Sequence, residues 1–300
     1  MHLLKGISLN IKTCFVAVVA SVALLLSGQT LGNGWEETVT SGGASITFDP
    51  MTSALTSFQL DGVEQLFADA LYYRIGDSPE ASLSAIGTPV VISESDAITD
   101  TAFIAARYRD NTVTVDVRYD LASANSGEAA LQTSINVDSE EPLEFTIFEV
   151  SDWNLAGTDG DDSLTITGDN LVNQRDGNLG LDHNSLADNL NFFGGNPSAW
   201  QASDLPDDIW DLVNNASADD LNNTNTFGDN GNTNGIFANQ WDGVLNPNNE
   251  LAADDVMVIS KQQTLGPRGA VEVIPEPVTS LLSLIGVAAA GLTASQRRRG

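Results

Sequence analysis

The stretch Phe103–Tyr119, FIAARYRDNTVTVDVRY, decides the fold. Its second half alternates without a break: Val113, Val115, Val117 and Tyr119 are separated by Thr114, Asp116 and Arg118. Side chains on a strand point alternately to opposite faces, so a period of two places one set in a core and the other in water. Asp110-Asn111 lies between two such runs, and both residues favour turns by bonding their own backbone. The stretch reads as a strand, a tight turn and a second strand, an antiparallel hairpin.

The same pattern extends in both directions. Ala44–Phe48 is a short apolar strand, and Leu55–Leu60 and Val63–Phe67 flank Asp61-Gly62, a strong two-residue hairpin signal. Leu71–Ile75 follows. Leu131, Thr133, Ile135 and Val137 alternate, Leu143–Val150 comes after the turn at Glu140-Glu141-Pro142, and Leu164–Thr167 is shorter. Many short strands with tight turns and little helical period predict a mainly β chain, an antiparallel β-sandwich with room for two large sheets.

Beyond Gly168 the composition changes. Residues 168–250 contain 19 Asn and 12 Asp, which predicts long Asn/Asp-rich loops laid over the scaffold. One short helix is expected, because Leu205, Ile209, Leu212 and Val213 share a face and Pro206 suits a first turn. Strands are expected again at Ile236–Trp241, Val256–Ser260 and Val271–Ile274.

Both ends carry targeting features. Lys5 and Lys12 precede an apolar run from Cys14 to Leu26, followed by small residues, which predicts a secretory signal peptide over residues 1–32. Cys14, the only cysteine, lies inside it, so the exported chain is expected to have neither disulfides nor thiol chemistry. At the other end stands IPEPVTSLLSLIGVAAAGLTASQRRRG, from Ile274 to Gly300. Pro275 and Pro277 remove two backbone donors and keep this segment extended. Val278–Gln296 is 19 residues without a charge, about 28 Å as a helix, close to the hydrocarbon thickness of a bilayer. Arg297, Arg298 and Arg299 are expected to stay on the cytoplasmic side.

This order of Pro275-Glu276-Pro277, transmembrane helix and arginine cluster resembles the PEP-CTERM sorting signal of Gram-negative bacteria. The resemblance implies secretion, a membrane-embedded exosortase as processing partner, membrane contact through the C-terminal helix before cleavage, and delivery to the cell surface or extracellular matrix. Residues 33–273 are then the exported domain, and 274–300 the sorting signal. Blocks of the body, such as LYYRIGDSPEASL from Leu71 and FANQWDGVLNPNNELAADDVMVISKQQTL from Phe237, look like the ectodomain of one group of PEP-CTERM proteins. That group implies an exported β-sandwich and is silent on chemistry.

Charge narrows the partners. The formal net charge is −29, from 12 basic and 41 acidic residues. Two basic residues lie in the signal segment and three in the tail, which leaves seven for the body, Lys261 being its one lysine. Such a chain repels nucleic acid, which is excluded as a partner of the body. The acidity reads first as solubility and second as calcium binding. For calcium the candidate ligands are Asp159, Asp161 and Asp162, three carboxylates within four residues, a density that oxygen-seeking cations favour. Trp200 and Trp210 are candidate sugar-stacking residues, beside Trp153 and Trp241; core packing is the commoner role of such rings. His183 lacks the cysteine partners of a zinc site and a Gly-x-Ser-x-Gly elbow for nucleophilic chemistry. With no catalytic constellation visible, the reading is a non-enzymatic surface or matrix protein of structural or adhesive type. The alternatives are a carbohydrate-binding or carbohydrate-active (lyase or hydrolase) sandwich, with extracellular polysaccharide as partner, and a calcium-stabilised surface protein.

Overall fold

The structure is a computed structural model and describes residues 36–96, 101–123, 127–157, 163–167, 171–177, 179–186, 196–226, 235–246 and 256–267. The signal peptide expected over residues 1–32, the sorting signal expected from Ile274, the strand expected at Val271–Ile274 and the Asp159, Asp161, Asp162 segment lie outside the described residues.

In chain order the strands are β1 (Glu37–Ser41), β2 (Ala44–Asp49), β3 (Ala54–Leu60), β4 (Val63–Glu64), β5 (Leu66–Ile75), β6 (Ala81–Ser82), β7 (Val90–Asp96), β8 (Thr101–Arg109) and β9 (Val113–Ala122). They continue as β10 (Ala129–Ser139), β11 (Leu143–Trp153), β12 (Ser163–Thr167), β13 (Leu171–Asp176), β14 (Leu179–Leu186), β15 (Ala199–Ser203), β16 (Thr224–Asn225), β17 (Ile236–Leu245) and β18 (Val256–Pro267). One sheet, A, runs β1-β2-β3-β5-β11-β17-β15-β16, with β4 on β3 and β6 on β5; the other, B, runs β12-β13-β14-β18-β10-β9-β8-β7. The pairing is antiparallel throughout except between β15 and β16. The two sheets enclose one large apolar core, so a β-sandwich is what these residues build.

The deciding stretch folds as its alternation requires. Asp110 Oδ1 accepts from the backbone N–H groups of Thr112 (2.7 Å) and Val113 (2.8 Å) and closes the turn between β8 and β9. Val113, Val115, Val117 and Tyr119 are all buried. Each fully buried aliphatic side chain stabilises the fold by about 1.5–3 kcal/mol. The turn at Asp61-Gly62 has φ of +51° and +80°. Two left-handed residues in succession give the hairpin twist that matches the strands, and Gly adopts that conformation without steric cost.

The helix, α1 (Pro206–Asn214), covers the outer face of sheet A. Asp207 and Asp208 in its first turn face the positive end of its dipole. Ile209 and Val213 pack against Phe148, Val150 and Ala238 in a second, smaller core. Leu205 falls outside this apolar face: it is the residue before the helix and 59% exposed.

The expectation of long loops over residues 168–250 needs correction. β13, β14 and β15 come from it and occupy positions within the two sheets, while β17 is the strand expected at Ile236–Trp241, extended to Leu245. On β13 and β14, Asn173 and Asp182 sit on the wetter face and bond across it. Asn173 donates to Asp182 (3.1 Å) from directly opposite strand positions, while Val172, Gln174, Leu181 and His183 are buried. Cross-strand partners and burial outweigh the local turn preference.

Candidate functional site

Two sheets that pack face to face are expected to bury apolar side chains, and here one region of the interface is polar. On β18 the buried residues alternate as Met257, Ile259, Lys261, Gln263, Leu265, so strand periodicity carries Lys261 and Gln263 into the core row. On β14 the same periodicity buries His183 behind Leu181. Sheet A contributes Asp69 from β5, Glu149 and Ser151 from β11 and Asn239 from β17. Ser151 stands opposite Asp69, and Glu149 opposite Asn239. Asp69, Glu149, His183 and Gln263 are 0% exposed and Lys261 is 1% exposed.

These groups bond as one knot. The Lys261 ammonium contacts Glu149 Oε1 and lies 3.2 Å from Asp69 Oδ2. The Gln263 amide donates to the same Asp69 Oδ2 (3.0 Å) and lies 3.1 Å from His183 Nδ1. His183 Nε2 lies 3.4 Å from the Asn239 amide nitrogen and 3.7 Å from Glu149 Oε2, so the neutral ring meets an amide at each nitrogen and its tautomer decides which of the two it accepts from. Ser151 Oγ donates to Glu149 Oε1 (3.3 Å), and the Phe237 ring meets His183 edge-on with centroids 4.9 Å apart. Tyr119 and Thr133 lie on one rung with Lys261 in sheet B. The hydroxyls of both, and Asp69 Oδ1, are buried without a hydrogen-bond partner.

Burial sets the protonation states. It pushes the His183 imidazole down to about 4, against the pull of Asp69. It also pushes the Lys261 amine below its ordinary value, with Asp69 again opposing. The Tyr119 phenol moves well above its ordinary value, through burial first and the Asp69 charge second. A low-dielectric interior disfavours every charged form, and only the paired ones persist.

A second network lies on the outer face of sheet A. Arg74 on β5 contacts Glu80 (3.0 Å) and Asp220 (2.5 Å) and sits 5.2 Å above the Phe148 ring centroid. Asp220 is held below the usual carboxylate range by the Arg74 bond, with burial opposing. Gln240 on β17 joins Asp220 (3.0 Å) and the Leu221 backbone N–H (2.8 Å), which fixes the chain after α1 to the sheet.

Among the sequence-predicted residues, Trp200 lies on β15, one strand in from the sheet edge, opposite Asn239 and on the inward-facing side of sheet A. Trp210 lies on α1 and packs against the outer core. The sheet separates the two rings, so they form no shared platform. Trp153 is 0% and Trp241 1% exposed, in the core. Among the described residues no group of three or more His, Cys, Asp and Glu is arranged to hold a metal ion. No described helix is long and apolar enough to cross a membrane. The knot escaped sequence reading because its members come from five strands between Asp69 and Gln263. One signal was available: the body's only lysine continues the alternation of an apolar strand.

No protein-family model and no curated protein sequence matches the chain. Several solved structures align with it at low similarity. A protein described as a kojibiose phosphorylase, from the human microbiome, aligns at 12% identity and a TM-score of 0.34, over 88% of this chain and 29% of its own. A polysaccharide lyase aligns at 11% and 0.39, over 75% and 32%. A galactose mutarotase-like protein of Lactobacillus casei aligns at 8% and 0.40, over 77% and 100%. The chain spans about a third of the first two. Likeness at this level fixes neither a family nor an activity. Fold and site define the class: a two-sheet β-sandwich, antiparallel but for one short edge pairing, with a charged knot closed inside it.

Proposed function

We propose that this is an exported surface or extracellular-matrix protein of structural or adhesive type, delivered by its C-terminal sorting signal. For delivery, the support is the order of Pro275-Glu276-Pro277, the uncharged run Val278–Gln296 and Arg297–Arg299 in the sequence. The observation that carries the structural role is the closed interior. Asp69, Glu149, His183 and Lys261 are at most 1% exposed, where a substrate from solvent does not reach them and where they tie sheet to sheet. Exosortase-type processing and secretion machinery are the partners this reading requires, and extracellular polysaccharide is the surrounding it fits.

The test is intact mass of the protein recovered from its native host, separated into membrane and extracellular pools. The expected result is an extracellular form that ends near Pro277. A protein that keeps Arg297–Arg299 in the inner membrane overturns the sorting proposal.

The second reading is carbohydrate binding. It draws on Trp200 and Trp210, which are half-buried while Trp153 and Trp241 are fully buried. Binding on a glycan array that disappears in Trp200→Ala, with Trp210→Ala unchanged, is its expected signature, because the two rings lie on opposite faces of one sheet. An array without binding removes this reading. Calcium stays a proposal resting on the Asp159, Asp161, Asp162 loop in the sequence.

A further inference from the structure

We propose that the Lys261 side chain forms an intramolecular amide with the Asp69 side chain, with Glu149 as the acid–base group, so that strand β18 of sheet B is covalently tied to strand β5 of sheet A. The inference rests on the interior geometry and is independent of where the protein is delivered.

Four observations converge. Lys261 Nζ lies 3.2 Å from Asp69 Oδ2, so nucleophile and carboxyl are already in van der Waals contact. The same amine contacts a second carboxylate, Glu149, on the strand next to Asp69. Gln263 Nε2 donates to Asp69 Oδ2 at 3.0 Å, which polarises the carboxyl and faces the oxygen where negative charge develops during attack. All four residues are at most 1% exposed, and Asp69 Oδ1 is without a hydrogen-bond partner.

The chemistry balances without a co-reactant. Moving one proton from the ammonium to Asp69 Oδ1 gives an amine and a carboxylic acid whose carbonyl oxygen is Oδ2 and whose departing hydroxyl is Oδ1, and burial favours this neutral pair over the ion pair. The lowered affinity of Lys261 for its proton agrees with that. The amine nitrogen then bonds to Asp69 Cγ, and Glu149 takes a proton from the nitrogen. The proton passes to the departing hydroxyl oxygen, the C–O bond breaks, and one water leaves. Glu149 ends as it began. Free amines and carboxylic acids do not condense in water, but fixed reactants gain effective molarities of about 10⁵–10⁸ M. A dry site also withholds the water needed for the reverse reaction. Asp69 is assigned as acceptor because it holds the Gln263 donor on the oxygen nearest the amine, whereas Glu149 is bonded by the Ser151 hydroxyl and the amine itself.

The experiment is mass mapping of the folded full chain after proteolysis under denaturing conditions. Lys261 is the only lysine after Lys12, so a lysine–carboxyl amide within the body has one possible nitrogen. The expected product is a branched peptide joining the Asp69 and Lys261 segments, about 18 Da lighter than their sum because one water is lost. Glu149→Gln is expected to yield the two peptides separately. Unjoined wild-type peptides after prolonged incubation of the folded protein overturn the proposal, whether or not the variant folds. A branch through Glu149 overturns the assignment of Asp69 as acceptor.

Discussion

Replacing Lys261 with Met is expected to lower the free energy of unfolding by about 3–5 kcal/mol, the range for removing one partner of a buried charged cluster. The magnitude follows from what stays behind. Asp69 and Glu149 are 0% exposed, and the Lys261 nitrogen is the group that contacts both. Without it, two carboxylates face each other in a medium that solvates neither, and the methionine sulfur offers no donor. Equilibrium urea unfolding of the two proteins measures the loss. A change below about 1 kcal/mol, the worth of an ordinary exposed ion pair, would show that the amine does not hold the carboxylates in place. Adding Asp69→Asn and Glu149→Gln to Lys261→Met is expected to recover the electrostatic part of the loss, because no buried charge then lacks its counterpart. The contribution of a covalent tie between the sheets is not recovered, so the two parts separate.

Acidification is expected to destabilise the protein by about 3 kcal/mol through His183 alone. The imidazole titrates at about 4 in the fold and at 6.5 when free, because burial opposes its charge more than Asp69 favours it. The folded state therefore binds fewer protons than the unfolded chain between these values. Stability is fully present above pH 6.5, falls as pH drops through that window, and reaches its lowest contribution near pH 4. His183→Gln removes the titration and keeps an amide beside Gln263 and Asn239. Unfolding free energies at pH 7 and near pH 4.5 are expected to differ more in the wild type than in this variant. Equal differences would falsify the neutral, buried imidazole.

What the chain determines locally was legible. The alternation of Val113, Val115, Val117 and Tyr119 fixes a half-buried strand, Asp61-Gly62 fixes a hairpin turn, and Pro206 with Ile209 and Val213 fixes the one described α-helix. Each is a property of a few neighbouring residues: period, turn chemistry or capping. The strands β13, β14 and β15 were not legible, because Asn and Asp there are held in extended form by partners such as the Asn173–Asp182 bond rather than by their own preference. Trp153 and Trp200 carry the same ring and differ only in where their strands lie, one central and one near an edge.

By itself the sequence determined the mainly β class of fold and the strong excess of acidic over basic residues. Only the tertiary structure decided that Asp69, Glu149, His183 and Lys261 meet. They stand up to 192 positions apart and are joined through sheet pairings that no local signal encodes. A charged residue reads as exposed until its strand is given a register and a facing sheet. Here register turns Lys261 inward, and the facing sheet supplies the carboxylates that make its burial tolerable.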